Sequence, residues 1–208
     1  MGQSGTTALP EDILQRISRE AMLELPIRRY EGEVQVISAA AEVEHALADL
    51  LNEKVVGFDT ETRPAFRKGE WYPPCLVQVA TARKVYLFQL QRMDFSAAVV
   101  EVMSAAGTLK AGVSVADDLK NLKKLMTFEE RSVVDVGTIA RRHGLKQTGV
   151  RNLAGIFLGF RIPKGTKTSN WATPRLSAQQ IAYAATDAWA CRELYLSFQK
   201  LGLPLTSD

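Results

Sequence analysis

The stretch Val55-Val56-Gly57-Phe58-Asp59-Thr60-Glu61-Thr62 joins an apolar run, typical of a buried strand, to two carboxylates. If the strand continues to Glu61, Asp59 and Glu61 point to the same face, because alternate side chains of a strand share a face. Two carboxylates held together need a proton or a cation to neutralise them. We therefore predict half of a divalent-metal site, on the most buried strand of the chain. A strand that ends in a solvated polar turn is the alternative.

The composition predicts an ordinary globular protein. The chain has 208 residues, of which 46% are hydrophobic and 24% are charged. These values suit one folded domain with a sizeable core rather than a disordered chain. Its formal net charge of +3 permits an anionic partner without requiring one. Cys75 and Cys191 show no disulfide or metal-binding spacing, and no apolar run approaches the ~20 residues of a membrane span. We predict a cytoplasmic protein without a membrane segment.

The order of predicted elements indicates an α/β fold with a mixed central β-sheet flanked by helices. Two apolar runs, 76–80 and 85–88, are separated by four residues and predict an antiparallel hairpin. Strands are further predicted at 34–37, 55–59, 109–112 and 133–136, and helices at 10–25, 40–52, 96–105, 115–126, 137–142, 150–158 and 177–201. We divide the chain into an N-terminal extension with a helix, residues 1–33, and a main domain, residues 34–203.

A third carboxylate, Asp118, lies on the apolar side of a predicted helix. Val115, Leu119 and Leu122 define the apolar stripe, and Asp118 lies beside them, whereas Asp117 points nearly the opposite way. Charged groups are rarely buried unless they are paired or bind a metal. The alternative is that Asp118 complements the helix dipole from the first turn.

The last predicted helix supplies a fourth acid. Tyr183 and Asp187 are four residues apart and share a face, although such a pair is also common in purely structural helices. Oxygen ligands without a His or Cys set favour Mg²⁺ or Mn²⁺ over Zn²⁺. Four carboxylates can hold two such ions about 3.5–4 Å apart, an arrangement used for in-line attack on a phosphodiester. The four acids are Asp59, Glu61, Asp118 and Asp187.

Taken in this order, the acids and their flanking motifs resemble the DEDDy branch of the 3′-5′ exonucleases, the ribonuclease D and Werner-exonuclease-like proteins. The resemblance runs from about Val34 to Leu201 and implies a ribonuclease H-like fold. The sister branch carries a His five residues before the last acid, where this chain has Ala182, so the tyrosine branch is indicated. The motifs are Gly57–Glu61, Leu76–Thr81, Ala111–Asp118, Asn152–Ala154, Ser169–Trp171 and Tyr183–Ala188.

The resemblance also implies a role for each residue. Asp59, Glu61 and Asp187 would ligate the ion that activates water, and Asp59 would bridge to a second ion. Asp118 would support the second ion through water. Tyr183 would orient the attacking water, and the products would be nucleoside 5′-monophosphates released from a 3′ end.

Two basic segments are predicted to contact the substrate. The loop at 159–176 is basic and has no acid, so it could bind phosphates, although a solvated loop is the alternative. Aromatic side chains at 62–72 could stack a base or pack in the core. Trp171 could instead anchor its loop. The predicted contacts are Arg63, Trp71, Tyr72, Gln78, Arg161, Lys164, Lys167 and Trp171.

The expected partner is a single-stranded or 3′-end-exposed nucleic acid, with DNA favoured over RNA. Two observations favour DNA: the chain ends soon after the last predicted helix, without room for the additional helical domains of ribonuclease D, and its motifs lean toward the Werner type. The alternatives are the same chemistry on RNA and a non-catalytic module that binds nucleic acid.

Overall fold

A computed structural model describes residues 13, 15–165 and 169–203, and within them six strands form one mixed sheet. The strands are β1 Glu33–Ile37, β2 Val55–Thr62, β3 Pro74–Ala80, β4 Lys84–Gln89, β5 Leu109–Gly112 and β6 Val133–Asp135. Their order across the sheet is β1-β4-β3-β2-β5-β6. β3 pairs antiparallel with β2 and β4, and the other neighbours pair parallel. The predicted mixed sheet and its hairpin are confirmed.

Helices cover both faces of the sheet, so the domain has three layers. They are α1 Arg19–Glu24, α2 Ala40–Leu51, α3 Ser96–Ser104, α4 Val115–Leu122, α5 Val136–Arg142, α6 Val150–Leu153 and α7 Ala178–Lys200, with a π-helical turn, Ala154–Leu158, after α6. α2, α3 and α4 pack on one face through a core that includes Val56 and Phe58. α5 and α7 pack on the other face.

Two predicted boundaries and one predicted burial are wrong, whereas the helix predicted over 150–158 has the predicted bounds and becomes π-helical from Ala154. The first helix begins only at Arg19, because the Ser18 hydroxyl caps it by accepting the Ala21 N–H; residues 10–12 and 14 of the predicted helix lie outside the described part. α4, predicted to reach 126, ends at Leu122, and the chain continues to Met126 in tighter turns. β3, not β2, is the strand buried along its whole length, because β2 pairs with β5 only over Val55–Gly57 and its residues from Asp59 to Thr62 are partly open to solvent.

Close packing of α7 against β2 places the last helix over the acidic end of the strand. A Cβ atom at Gly57 would lie 1.9 Å from the carbonyl oxygen of Ala188, so only glycine permits this approach. The Arg192 guanidinium donates from Nε to the Val55 carbonyl at 3.1 Å and lies 3.9 Å from Glu53. These contacts fix the position of α7 along β2.

The described part of the N-terminal segment packs on the domain. Arg161 donates its backbone N–H to Pro26, and its carbonyl accepts the N–H of Arg28. The Tyr30 N–H donates to the Thr186 hydroxyl at 3.0 Å, beside Asp187 on α7. The division at residue 33 stays a prediction. No helix within the described residues is long and apolar enough to cross a membrane.

Candidate active site

The structure brings together three of the four predicted acids. Asp59 and Glu61 lie on β2 and Asp187 on α7, and each offers one carboxylate oxygen within 4.8 Å of the others. β2 continues to Thr62, so its alternation points Asp59 and Glu61 toward the face that α7 covers. Asp187 is only 4% exposed. The arrangement suits a small divalent cation, whose preferred ligands are carboxylate oxygens.

Repulsion among the carboxylates also indicates a site for a divalent cation. The pKa of Asp59 is raised well above its ordinary value, first by burial and then by the negative charges of Asp187, Asp118 and Glu61. A hydrogen bond from the Thr60 N–H to Asp59 Oδ1 at 2.9 Å opposes this shift only in part. A divalent cation would neutralise the three carboxylates, so the residues present fit a bound metal ion.

Asp118 lies outside this group of three, on the first turn of α4. Its side chain is half-buried while Asp117 is exposed, as the helical stripe predicted. The Thr60 hydroxyl donates a short hydrogen bond to Asp118 Oδ1. The pKa of Asp118 is raised to about 6, mainly by burial, and the Thr60 hydrogen bond opposes this shift in part. Thr60 therefore links β2, which carries Asp59 and Glu61, to α4, which carries Asp118.

Tyr183 lies one turn before Asp187, and its ring is enclosed from two sides. The Trp171 ring centroid lies 6.0 Å away, and a Cβ atom built on Gly165 would lie 1.8 Å from Tyr183 Cδ2. Burial, followed by the charges of Asp187 and Glu61, raises the pKa of Tyr183 above its ordinary value. The phenol therefore keeps its proton at neutral pH, which suits orienting a water rather than acting as a general base.

Two of the predicted substrate contacts, Gln78 and Trp171, are buried in the structure. Gln78 is 0% exposed and Trp171 is 1% exposed, so neither side chain is accessible from the protein surface. Trp171 packs against Tyr183 and α7, which matches the alternative that it anchors its loop. Arg161 is half-buried and donates from Nε to the Leu25 carbonyl at 3.2 Å, so it contacts the N-terminal segment, and its phosphate contact stays a prediction.

The other predicted contacts lie at the surface or outside the described residues. Trp71 is 48% exposed and donates from Nε1 to Asn121 Oδ1 at 3.1 Å. The Arg63 guanidinium lies 4.7 Å from the Tyr72 ring centroid. Lys164 is exposed, and Lys167 lies outside the described part of the chain.

Sequence reasoning missed three residues: Thr60 and Gly165, which contact Asp118 and Tyr183, and Phe66 in the loop that carries Trp71. Phe66 is 80% exposed in the loop that carries Trp71, and its basic and aromatic neighbours were the available signal. Thr60 could have been found from its place between two acids. Nothing in the sequence indicates that Gly165 lies against a tyrosine 18 positions later, because that contact arises only from tertiary packing.

Gly165→Ala is expected to lower kcat about tenfold with little loss of stability, because the new methyl group would displace the Tyr183 ring. Steady-state kinetics and thermal unfolding check this, with Gly149→Ala as a matched control, since a Cβ atom at Gly149 meets open space. Equal kcat values for the two variants would show that the position of Tyr183 does not matter.

Comparison with known proteins adds a family match and several relatives. A family described as 3′-5′ exonuclease matches residues 34–202. An exonuclease mut-7 homolog of Aedes aegypti is 25% identical over 84% of this chain, and the mouse bifunctional 3′-5′ exonuclease/ATP-dependent helicase WRN is 29% identical over 86%. A ribonuclease D of Sphingobium indicum is 27% identical over 67%. The chain spans 27%, 13% and 36% of these relatives' lengths, respectively.

A solved structure supports the fold. The crystal structure of the Aedes aegypti Nibbler EXO domain superposes with a TM-score of 0.73 at 23% identity, over 84% of this chain and 90% of that chain. The fold is therefore ribonuclease H-like, as the sequence motifs predicted.

Proposed function

Because the chain belongs to the 3′-5′ exonuclease family, we propose that it removes nucleotides one at a time from the 3′ end of a nucleic acid. The observation that carries the proposal is the convergence of Asp59, Glu61 and Asp187 within 4.8 Å. These carboxylates would hold one divalent ion, and Asp59 and Asp118 would help to hold a second, with Mg²⁺ or Mn²⁺ as the proposed metal. The products would be nucleoside 5′-monophosphates.

The surrounding residues would position the reacting groups. The bound ions would neutralise phosphate charge and lower the pKa of the attacking water. The protonated Tyr183 hydroxyl would orient that water, with its ring held between Gly165 and Trp171. Thr60 would hold the Asp118 carboxylate toward the second ion. The chain's own contribution is thus mainly to hold groups in position before the reaction.

Exposed groups in two loops are proposed to guide the strand. Arg63 and Lys164, with Lys167 as a further prediction, would contact phosphates. Trp71 is the proposed stacking platform, because its hydrogen bond to Asn121 and the Lys124 ammonium 4.3 Å from its ring centroid already restrict its rotation.

We propose DNA as the first candidate substrate, since the motifs resemble the Werner type. RNA is the second candidate, because one relative is named ribonuclease D and is 27% identical over 144 residues. The two candidates share every proposed step and differ only in the sugar that the site accepts. We also propose a cytoplasmic location, for which the two buried free thiols, Cys75 and Cys191, give modest support.

Labelled strands test this function. DNA and RNA strands of one sequence, each labelled at the 5′ or at the 3′ end, are incubated with Mg²⁺, Mn²⁺ or EDTA. We expect 5′-labelled strands to shorten stepwise, and 3′-labelled strands to release a labelled mononucleotide, only when metal is present. The preferred strand identifies the substrate. Binding without cleavage would instead indicate a non-catalytic module.

A further inference from the structure

Gln78 is a buried polar side chain whose hydrogen-bonding groups are unsatisfied. It lies in the middle of β3 and is 0% exposed. Within the described residues, neither its Nε2 nor its Oε1 atom has a hydrogen-bond partner. Burying a carboxamide without partners costs free energy, and native proteins generally avoid it. An apolar side chain of the same size would pack here without that cost, so the glutamine needs another explanation.

The position of Gln78 supplies the explanation. Its direct cross-strand neighbour on β2 is Asp59. Opposed residues of antiparallel strands share a face, with Cβ atoms about 4.5–5.5 Å apart. The shared face is the one that α7 covers, where Leu76 and Ala80 of β3 pack on the helix. The carboxamide and the Asp59 carboxylate are therefore neighbours beneath the acidic group.

A second buried glutamine, Gln89, shows that a carboxamide on this face of the sheet can find a hydrogen-bond partner. Gln89 lies on β4 opposite Leu76 and on the same face of the sheet. It is 4% exposed, and its Nε2 donates to the Thr173 carbonyl at 3.3 Å. The two glutamines differ in position, because only Gln78 lies opposite a proposed metal ligand.

Building on the exonuclease site proposed above, we propose that Gln78 is a positioning residue for the metal site. Its Nε2–H group donates to the Asp59 carboxylate when a divalent ion is bound, and so fixes the orientation of that ligand. An ionised carboxylate only accepts hydrogen bonds, and the amide supplies the donor. Partners of this kind behind metal ligands typically change metal affinity by about 10–100-fold when removed.

The test compares Gln78→Met with Gln89→Met in the full chain, by thermal unfolding in EDTA and during titration with Mn²⁺. For Gln78→Met we expect a metal-free Tm equal to or above that of wild type, because an unsatisfied amide leaves the core. We also expect the Mn²⁺ concentration for half-maximal stabilisation to rise about tenfold. For Gln89→Met we expect a lower metal-free Tm and an unchanged Mn²⁺ midpoint.

Two results would overturn the proposal. One is a Gln78→Met midpoint equal to that of wild type; the other is equal midpoint changes in the two variants, which would indicate general loosening of the core. Gln78→Leu is measured in parallel, so a folding defect of one substitution does not decide the outcome. If wild type itself shows no Mn²⁺-induced stabilisation, the metal site fails, and this is distinguishable from failure at Gln78 alone.

Discussion

Asp59→Asn is expected to lower kcat by about 10³-fold or more, equivalent to about 4 kcal/mol in the activation barrier. Asp59 is central to this expectation because its charge interacts with all three other acids. Asparagine keeps the shape of the side chain but removes the negative charge that would hold the ions. Asp187→Asn should have an effect of similar size, because its oxygen is one of the converging three.

Without metal, the same substitution should raise the stability of the protein. The folded-state pKa of Asp59 is raised, so the unfolded chain loses its proton at lower pH than the folded chain does. As pH rises from the ordinary pKa through the raised one, the wild-type protein therefore loses stability, and Asp59→Asn loses less because the contribution of Asp59 is absent. At neutral pH in EDTA, the Tm of the variant should exceed that of wild type.

Single-turnover cleavage with saturating Mn²⁺ and thermal unfolding in EDTA measure the two effects. Asp117→Asn is the matched control, because Asp117 is exposed on α4 next to Asp118 and should leave both quantities near wild type. Near-wild-type cleavage by Asp59→Asn would remove Asp59 from the mechanism. A metal-free Tm of Asp59→Asn below that of wild type would show that repulsion among the acids is not the main destabilising effect of the Asp59 charge.

Gly57→Ala is expected to destabilise the fold by about 3 kcal/mol or more. A Cβ atom there would lie 1.9 Å from the Ala188 carbonyl oxygen and 2.9 Å from the Arg192 backbone nitrogen. Both atoms belong to the backbone of α7, so the helix must move away from β2. That movement would also separate Asp187 from Asp59, and any folded fraction should be nearly inactive.

Urea-induced unfolding measures this effect, with Gly107→Ala as the control. A Cβ atom at Gly107 meets no atom within 4 Å, so that variant should stay within about 0.5 kcal/mol of wild type. If Gly57→Ala were as stable and as active as Gly107→Ala, close packing of α7 on β2 would not be what positions the acids.

Local patterns in the sequence predicted the elements and the direction of the acidic side chains. Alternation along β2 correctly placed Asp59 and Glu61 on one face, and the stripe of α4 distinguished Asp118 from Asp117. Such faces are local properties, since they depend only on the 2.0- and 3.6-residue periods. The start of α7, within the helix predicted over 177–201, is equally local, because a capping box between Ser177 and Gln180 begins it.

Features that depend on distant parts of the chain could not be predicted in this way. Trp171 and Gln78 were interpreted as substrate contacts, and both are buried under α7. Arg161 was predicted to bind phosphate, and the structure adds a contact with the N-terminal segment, through its Nε and the Leu25 carbonyl, that the sequence did not indicate. In each case the sequence shows a residue suited to binding, and only tertiary packing decides whether that residue faces solvent or another segment.

The most direct test of the proposed site is anomalous diffraction from a crystal grown with Mn²⁺. We predict a strong manganese peak at about 2.0–2.2 Å from one carboxylate oxygen each of Asp59, Glu61 and Asp187. No peak among these three carboxylates, or a peak bound by other residues while these stay empty, would contradict the account.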